Sequence, residues 1–223
     1  MSAIGVARSP ERLVIAVDGP SASGKGTLAK RLAAHFRLPH LDTGLLYRAV
    51  GWRSATTGVL PRDVAANLGP ADLEDPALRS DEAGQQASRV GVIPEVRANL
   101  LKYQKEFSSQ ASGAVLDGRD IGTAVCRDAA VKLFVTASRE ARAERRFREL
   151  RQRGAAAIYG DVLQDMKERD ARDSSRRVAP LAAAPDAITL DTTGLDADQV
   201  FELASDIIAR ALADRQPSSD KRG

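Results

Sequence analysis

Residues Leu13–Asp18 (LVIAVD) are apolar almost without interruption and end on an acid. Such a run suits a strand buried on both faces of a parallel sheet, because a strand with one wet face would alternate. Three more short segments read as strands: Ala114–Asp117, Val131–Thr136 and Ala187–Leu190. Behind the first strand the spacing changes, and Leu28, Leu32 and Phe36 fall on one face of a helix. Further helices are predicted over Leu45–Thr57, Pro94–Ser109, Ser138–Arg153, Asp161–Ser175 and Asp196–Ala213. Strands alternating with helices predict an α/β fold with a parallel sheet flanked by helices.

Two regions break that alternation and read as excursions from the core. Leu60–Val92 carries Pro61, Pro70 and Pro76 with many acids, lacks an alternating β-branched run, and reads as helix and loop. Arg139–Arg177 is dense in arginine and interrupted by Gly154 and Gly160. The tail from Arg215 is polar and expected to be disordered.

The 223 residues, 43% hydrophobic and 28% charged, are enough for one core of ordinary size. A formal charge of +3 spread over such a surface is a poor footprint for nucleic acid. The cations are nonetheless unevenly chosen, 26 arginines against 7 lysines, and arginine is the side chain suited to a forked grip on phosphate. Over 139–177 there are 12 Lys and Arg against 8 Asp and Glu, so the basic excess is local. The single Cys126 excludes an internal disulfide framework and reads as a buried thiol. Met1–Arg12 has no apolar run of signal length, and no window approaches the ~18 apolar residues of a membrane span. The expectation is a cytoplasmic protein without membrane partners.

The strongest chemical signal follows the first strand: Gly19, Pro20, Ser21, Ala22, Ser23, Gly24, Lys25, Gly26 and Thr27. Glycine, four residues, glycine, lysine is the spacing of a phosphate loop, with Gly26 where a Ser or Thr is usual and Thr27 one place later. The backbone of such a loop wraps phosphate with its N–H groups, the helix start favours an anion, and Lys25 reaches the terminal phosphates. A buried strand before it and an amphipathic helix after it make a purely structural turn a poor alternative. No Asn-Lys-x-Asp guanine signature occurs.

Three other clusters stand out. Leu41–Arg48 (LDTGLLYR) sets Thr43 at a helix start with Arg48 about a turn beyond; alone, it reads as a cap with a surface arginine. Asp117–Thr123 (DGRDIGT) follows a strand's carboxyl end, where open α/β sheets bind ligands. In Lys167–Pro180, Arg169, Asp173 and Arg176 share one helix face, which in isolation would be an ordinary salt-bridged surface.

Together these pieces resemble the bacterial cytidylate kinases. DGPSASGKGT, LDTGLLYR, PEVR, DGRDIGT and the arginine-rich KERDARDSSRRVAPL run from Asp18 to Leu181, nearly the whole chain. The resemblance implies a P-loop NTPase fold in a single nucleoside monophosphate kinase domain. Its core would span about 13–59, 110–137 and 178–213, with a shortened monophosphate-binding arm at 60–109 and a short arginine-rich lid at 138–177. It also implies ATP-dependent phosphorylation of CMP and dCMP with Mg2+, in a protein expected to act as a monomer.

Carried over by motif, Gly19–Thr27 would hold the ATP phosphates. Thr43, Tyr47, Arg48, Arg119 and Arg176 would lie by CMP, and Ser88, Arg97 and Asp120 would read cytosine. Asp173 would accept from the sugar hydroxyl, and Lys25, Arg119, Arg169 and Arg176 would act on the transferring phosphate. Thr27 is a candidate magnesium ligand, with Asp117 acting on the ion through water. Physically, cytosine presents an amino donor beside ring-nitrogen and carbonyl acceptors, and Asp120, Arg97 and Ser88 supply the complementary set. Two other classes stay open on the residues alone: a kinase of the same fold preferring UMP or AMP, and a nucleotide-dependent nucleic-acid-binding or non-catalytic module. His35, His40 and Trp52 are expected to serve packing or the surface.

Overall fold

A computed structural model describes residues 12–215. The disordered tail expected from Arg215 lies, from residue 216 on, outside the described residues. The elements are β1 (Leu13–Asp18), α1 (Lys25–Phe36), β2 (His40–Asp42), α2 (Thr43–Thr57), α3 (Pro61–Ala66), α4 (Asp81–Val90), α5 (Pro94–Ser108), β3 (Gly113–Gly118), β4 (Val131–Thr136), α6 (Arg139–Gln152), α7 (Tyr159–Ser174), β5 (Ile188–Asp191) and α8 (Ala197–Arg215). The strands form one parallel sheet in the order β2-β3-β1-β4-β5.

The central position of β1 explains its unbroken apolar run. Val14 and Ala16 face one core with Leu116, Leu46, Val96 and Leu100, while Ile15 and Val17 face the other with Val115, Leu133, Leu28 and Leu32. The second core is closed by α8 through Val200, Ala204 and Ile208. Part of the first excursion belongs to the first core, since Val64 and Ala65 of α3 and Val90 of α4 are buried in it.

Most strand and helix expectations hold to within two residues, and the differences have local causes. The three-residue edge strand β2 is too short for any periodicity to show. Helix α2 starts at Thr43 instead of Leu45, because the Asp42 carboxylate caps it by accepting from the Leu45 N–H at 3.3 Å. The segment after Asp120, expected as a glycine-permitted loop, is one π-helical turn over Ile121–Val125. It is closed by Val125 N–H to Asp120 O (3.3 Å) and Cys126 N–H to Ile121 O (2.7 Å). Cys126 is buried, as its sequence setting implied.

Register decides what meets at the carboxyl edge. Asp18 lies opposite Gly118 and Phe134, and Asp117 lies opposite both Val17 and Asp42. Every parallel strand therefore delivers its following loop to the same edge.

Candidate active site

The phosphate loop is built as its residue types require. A Cβ on Gly19 would sit 2.0 Å from the Val135 carbonyl oxygen, so only glycine lets the loop pass β4. Gly24 has φ of 90° at the start of α1, and Ala22 between them holds φ of 59°, left-handed backbone in a residue that carries a side chain. The Lys25 ammonium donates to Pro20 O at 3.2 Å, folded back over its own loop. Burial, joined by the nearby Arg119 charge, lowers its pKa to about 7. A lysine destabilised by desolvation and a like charge gains from any anion placed beside it.

Beside the loop, α2, α4, α5, α7 and the turn after β3 line a cavity that gathers Thr43, Tyr47, Ser88, Arg97, Arg119, Asp120, Arg169, Asp173 and Arg176. Two ion-paired groups line it. In the first, Arg97 donates to Asp120 at 2.5 Å, both buried, with the Arg97 guanidinium 5.9 Å from the Tyr47 ring centre. Burial pushes the Asp120 carboxyl up, while Arg97 and Arg176 pull it back. In the second, Arg119 donates to Asp173 at 2.9 Å, and Arg176 pairs with the other oxygen of the same carboxylate. Burial would raise Asp173, but Arg119, Arg176 and Arg169 together hold it below the usual carboxylate range.

Arg169 is the cation with least compensation. Its Nε is buried without a partner, and desolvation together with Arg119 lowers its pKa to about 9. Arg97 and Arg176 also carry a buried, unpartnered Nε. Orphaned donors of this kind are costly unless an acceptor arrives.

Arg48 does not line this cavity: one terminal nitrogen donates to both the Leu78 and the Ser80 carbonyls, at 2.9 and 2.8 Å. The Ser80 carbonyl also accepts from the Gly84 N–H at 3.2 Å. The Arg48 charge still bears on Arg119 and Arg169. Thr43 lines the cavity but spends its proton on the Asp117 carbonyl (2.7 Å), tying α2 to β3.

Thr27 lines a second cavity, and Asp117 lies under the loop with Oδ2 3.7 Å from the Cβ position of Gly26, the residue before Thr27. Among the described residues no group of three or more His, Cys, Asp and Glu could hold a metal ion. The oxygen donors of Ser23, Thr27 and Asp117 do suit a hard cation that keeps most of its water and arrives on phosphates.

Four contributors escaped the sequence reading. Asp18, only 4% exposed, accepts from the Ile121 and Gly122 N–H groups at 2.8 and 2.7 Å and thereby anchors the chain just after Asp120. Its burial raises the pKa to about 6 against the pull of those two donors. His40 was left to packing, but its Nε2 lies 2.8 Å from Asp117 Oδ1; His35 does pack, edge-on to Phe36 and Phe201. The third contributor is a cavity of about 260 Å³ flanking the phosphate loop, between Gly24, Thr27 and Leu28 on one side and Arg145, Thr192 and Val200 on the other. Arg145 donates to the Thr192 hydroxyl at 2.9 Å, and that hydroxyl donates to the Ser23 carbonyl at 3.0 Å. The signal available was position, since Thr192 follows the carboxyl end of β5. The fourth is Arg172, which reaches from α7 to Ser88.

The lid segment is tied to everything around it. Arg142 of α6 grips Asp170 of α7 with both nitrogens at 3.0 and 2.7 Å and donates to Ser21 O of the phosphate loop at 3.3 Å. Arg146 pairs with Asp81 at the start of α4, and Arg153 donates to Arg79 O at 2.9 Å.

Comparison with known proteins accounts for this arrangement. The family model for cytidylate kinase matches residues 15–69 and 65–210. The chain belongs to the cytidylate kinase family. The cytidylate kinase of Paramagnetospirillum magneticum is 58% identical over 204 residues, covering 87% of this chain and 97% of the relative. That of Rhodospirillum rubrum is 55% identical over 207 residues, 88% of this chain and 97% of the relative. Among solved structures, an uncharacterised protein from Eubacterium ventriosum aligns with a TM-score of 0.55 at 16% identity, covering 89% of this chain and 99% of its own, a likeness of fold alone. Family membership makes the cavity lined by Asp120 and the arginines the candidate acceptor site. The phosphate loop with its flanking cavity is the candidate donor site.

Proposed function

We propose that the protein transfers the γ-phosphoryl group of ATP to CMP and dCMP, giving CDP and dCDP. One observation carries the reading: a buried acceptor and donor, Asp120 and Arg97, share a cavity with Arg119, Arg169 and Arg176, and Lys25 lies close enough to feel the charges of Arg119 and Arg169. A base reader and a cluster of under-compensated cations are what a nucleoside monophosphate requires.

In this reading Asp120 accepts from the cytosine amino group, and Arg97 and Ser88 donate to its acceptors. Asp173 turns from its arginines to the ribose. The CMP phosphate lies among Arg119, Arg169 and Arg176. The ATP phosphates lie in Gly19–Thr27 beside Lys25, and the adenine base in the cavity walled by Arg145 and Thr192. A CMP phosphate oxygen attacks the γ-phosphorus in line, the bond to the β–γ bridging oxygen breaks, and ADP leaves with that electron pair. The nucleophile is already an anion at neutral pH, so no general base is needed. The protein supplies position and positive charge. Bound magnesium would neutralise charge on the β- and γ-oxygens, with Thr27 or Ser23 and, through water, Asp117 as its protein contacts. Residues 60–109 serve as the acceptor arm and 138–177 as the lid, whose closure excludes water.

The test is ADP release with CMP, dCMP, UMP and AMP at fixed ATP and magnesium. The reading expects CMP and dCMP to dominate in kcat/KM, and equal use of UMP or AMP would overturn it.

A further inference from the structure

Ser88 is 2% exposed and lies on the cavity wall, and its hydroxyl oxygen is already engaged from behind. Arg172 of α7 donates through Nε to Ser88 Oγ at 3.2 Å and through a terminal nitrogen to Gln85 Oε1, one turn earlier on α4, at 3.3 Å. No other side chain makes a comparable link between α7 and α4 among the described residues, and the only carboxylate near Arg172 is Glu168 at 3.8 Å. The guanidinium, 37% exposed, is thus committed to α4 by a planar two-point contact.

The consequence follows from what a hydroxyl can do. A free serine hydroxyl is ambidextrous, able to donate or to accept as its rotor turns. Once Arg172 donates to one lone pair, the serine proton is excluded from that side and the cation polarises the O–H bond, so Ser88 becomes a better donor and a poorer acceptor towards a ligand in the cavity. Cytosine and uracil differ at this point as well as at the exocyclic position. The cytosine ring nitrogen beside the amino group is a bare acceptor, and the uracil one carries hydrogen. A Ser88 held as donor pairs with cytosine and meets uracil hydrogen to hydrogen. A Ser88 free to turn would accept from uracil.

Resting on the base-reading role given to Ser88 above, we propose that Arg172 is a positioning residue for specificity. It biases the Ser88 hydroxyl towards donating and so sharpens the choice of cytosine over uracil. Because Arg172 belongs to the lid segment and Ser88 to the arm, the base is read fully only while the two segments touch.

The experiment measures kcat/KM for CMP and UMP in wild type, Arg172→Ala, Ser88→Ala and the double variant, with KM for ATP as a control. In Arg172→Ala the CMP:UMP ratio should fall roughly two- to tenfold, the worth of one hydrogen bond. The change should lie mainly in KM, with KM for ATP held within about a factor of two. The ratio of Ser88→Ala should not fall further when Arg172 is also removed. Equal loss of CMP and UMP use in Arg172→Ala, or additive losses in the double variant, would overturn the proposal and leave Arg172 a plain lid contact. An unchanged ratio in Ser88→Ala would overturn the base-reading role of Ser88 and this inference with it. Melting temperatures establish that each variant is folded. Arg172→Gln, too short to span to Ser88, gives the same readout should the alanine variant fail.

Discussion

The donor side and the acceptor side of this site are built on opposite principles. The proposed donor side has one contiguous stretch, Gly19–Thr27, at its centre, and the chemistry of that cradle is mostly backbone: N–H groups, a helix start and one lysine. The acceptor side is assembled from side chains on α2, α4, α5, α7 and the turn after β3, and its polar groups are paired with one another: Arg97 with Asp120, and Arg119 and Arg176 with Asp173. Phosphate is the same in every nucleotide, so a generic cradle suffices for it. A base must be told from other bases, and that takes donors and acceptors at fixed positions, which only packing against several elements provides. The self-pairing also gives the acceptor side a way to stay folded with cations at high density.

The sharpest break between the two sides is at Lys25. Lys25→Ala removes the one charged side chain of the cradle, and kcat should fall about a thousandfold. The melting temperature should hold or rise, because a buried cation with little compensation is lost. Quenched-flow transfer and thermal melts would check both. Retained turnover would mean the arginines of the acceptor side carry the charge stabilisation alone.

Next comes the base reader. In Asp120→Asn an amide nitrogen can face the cytosine amino group, donor to donor, and Arg97 loses its buried counter-charge. CMP kcat/KM should drop about tenfold to hundredfold, with ATP affinity unchanged. Steady-state kinetics varying each substrate separates the two, and an equal loss on both would show that the sides are not separable.

A smaller effect is expected from the wall of the flanking cavity. Arg145→Ala removes the side chain that closes it against Thr192. KM for ATP should rise about fivefold, the worth of roughly 1 kcal/mol, while the CMP:UMP ratio stays put. A changed ratio with unchanged ATP affinity would move that cavity out of the donor side.

What the amino-acid sequence discloses follows the same division. The cradle could be read directly because strand, glycines, lysine and helix lie within one local stretch and each obeys a local rule. The acceptor residues are spread from Thr43 to Arg176, and no spacing joins Ser88 to Asp120. They became visible only through resemblance between whole motifs. Arg48 shows what that route leaves out: the motif is intact, and nothing in it announces that the guanidinium also holds the carbonyls of Leu78 and Ser80, in a segment without periodicity. His40, Arg145 and Arg172 were missed because each is defined by one partner far along the chain: Asp117, Thr192 and Ser88 respectively. A long-range contact of this kind has no local trace. The sheet was legible except for β2, whose three residues are too few to carry a pattern.

The finest test concerns the residue that joins the two sides. Asp18 ends β1 directly before the cradle, and its two acceptor bonds hold Ile121 and Gly122 directly after Asp120. Its folded pKa, about 6, stands above the ordinary carboxylate value of 3.8 because the carboxylate is desolvated. The native state therefore binds more protons than the unfolded chain between those values. The group's contribution to stability is fully present below the unfolded pKa and lost as pH rises through the folded one. A shift from 3.8 to about 6 corresponds to about 3 kcal/mol. Asp18→Asn cannot titrate, so the stability of wild type relative to this variant should decline by about that amount between about pH 4 and about pH 6.5 in urea unfolding. A difference independent of pH would mean that Asp18 ionises as an ordinary carboxylate. The link from cradle to base reader would then rest on its two hydrogen bonds, without the cost of burying a charge.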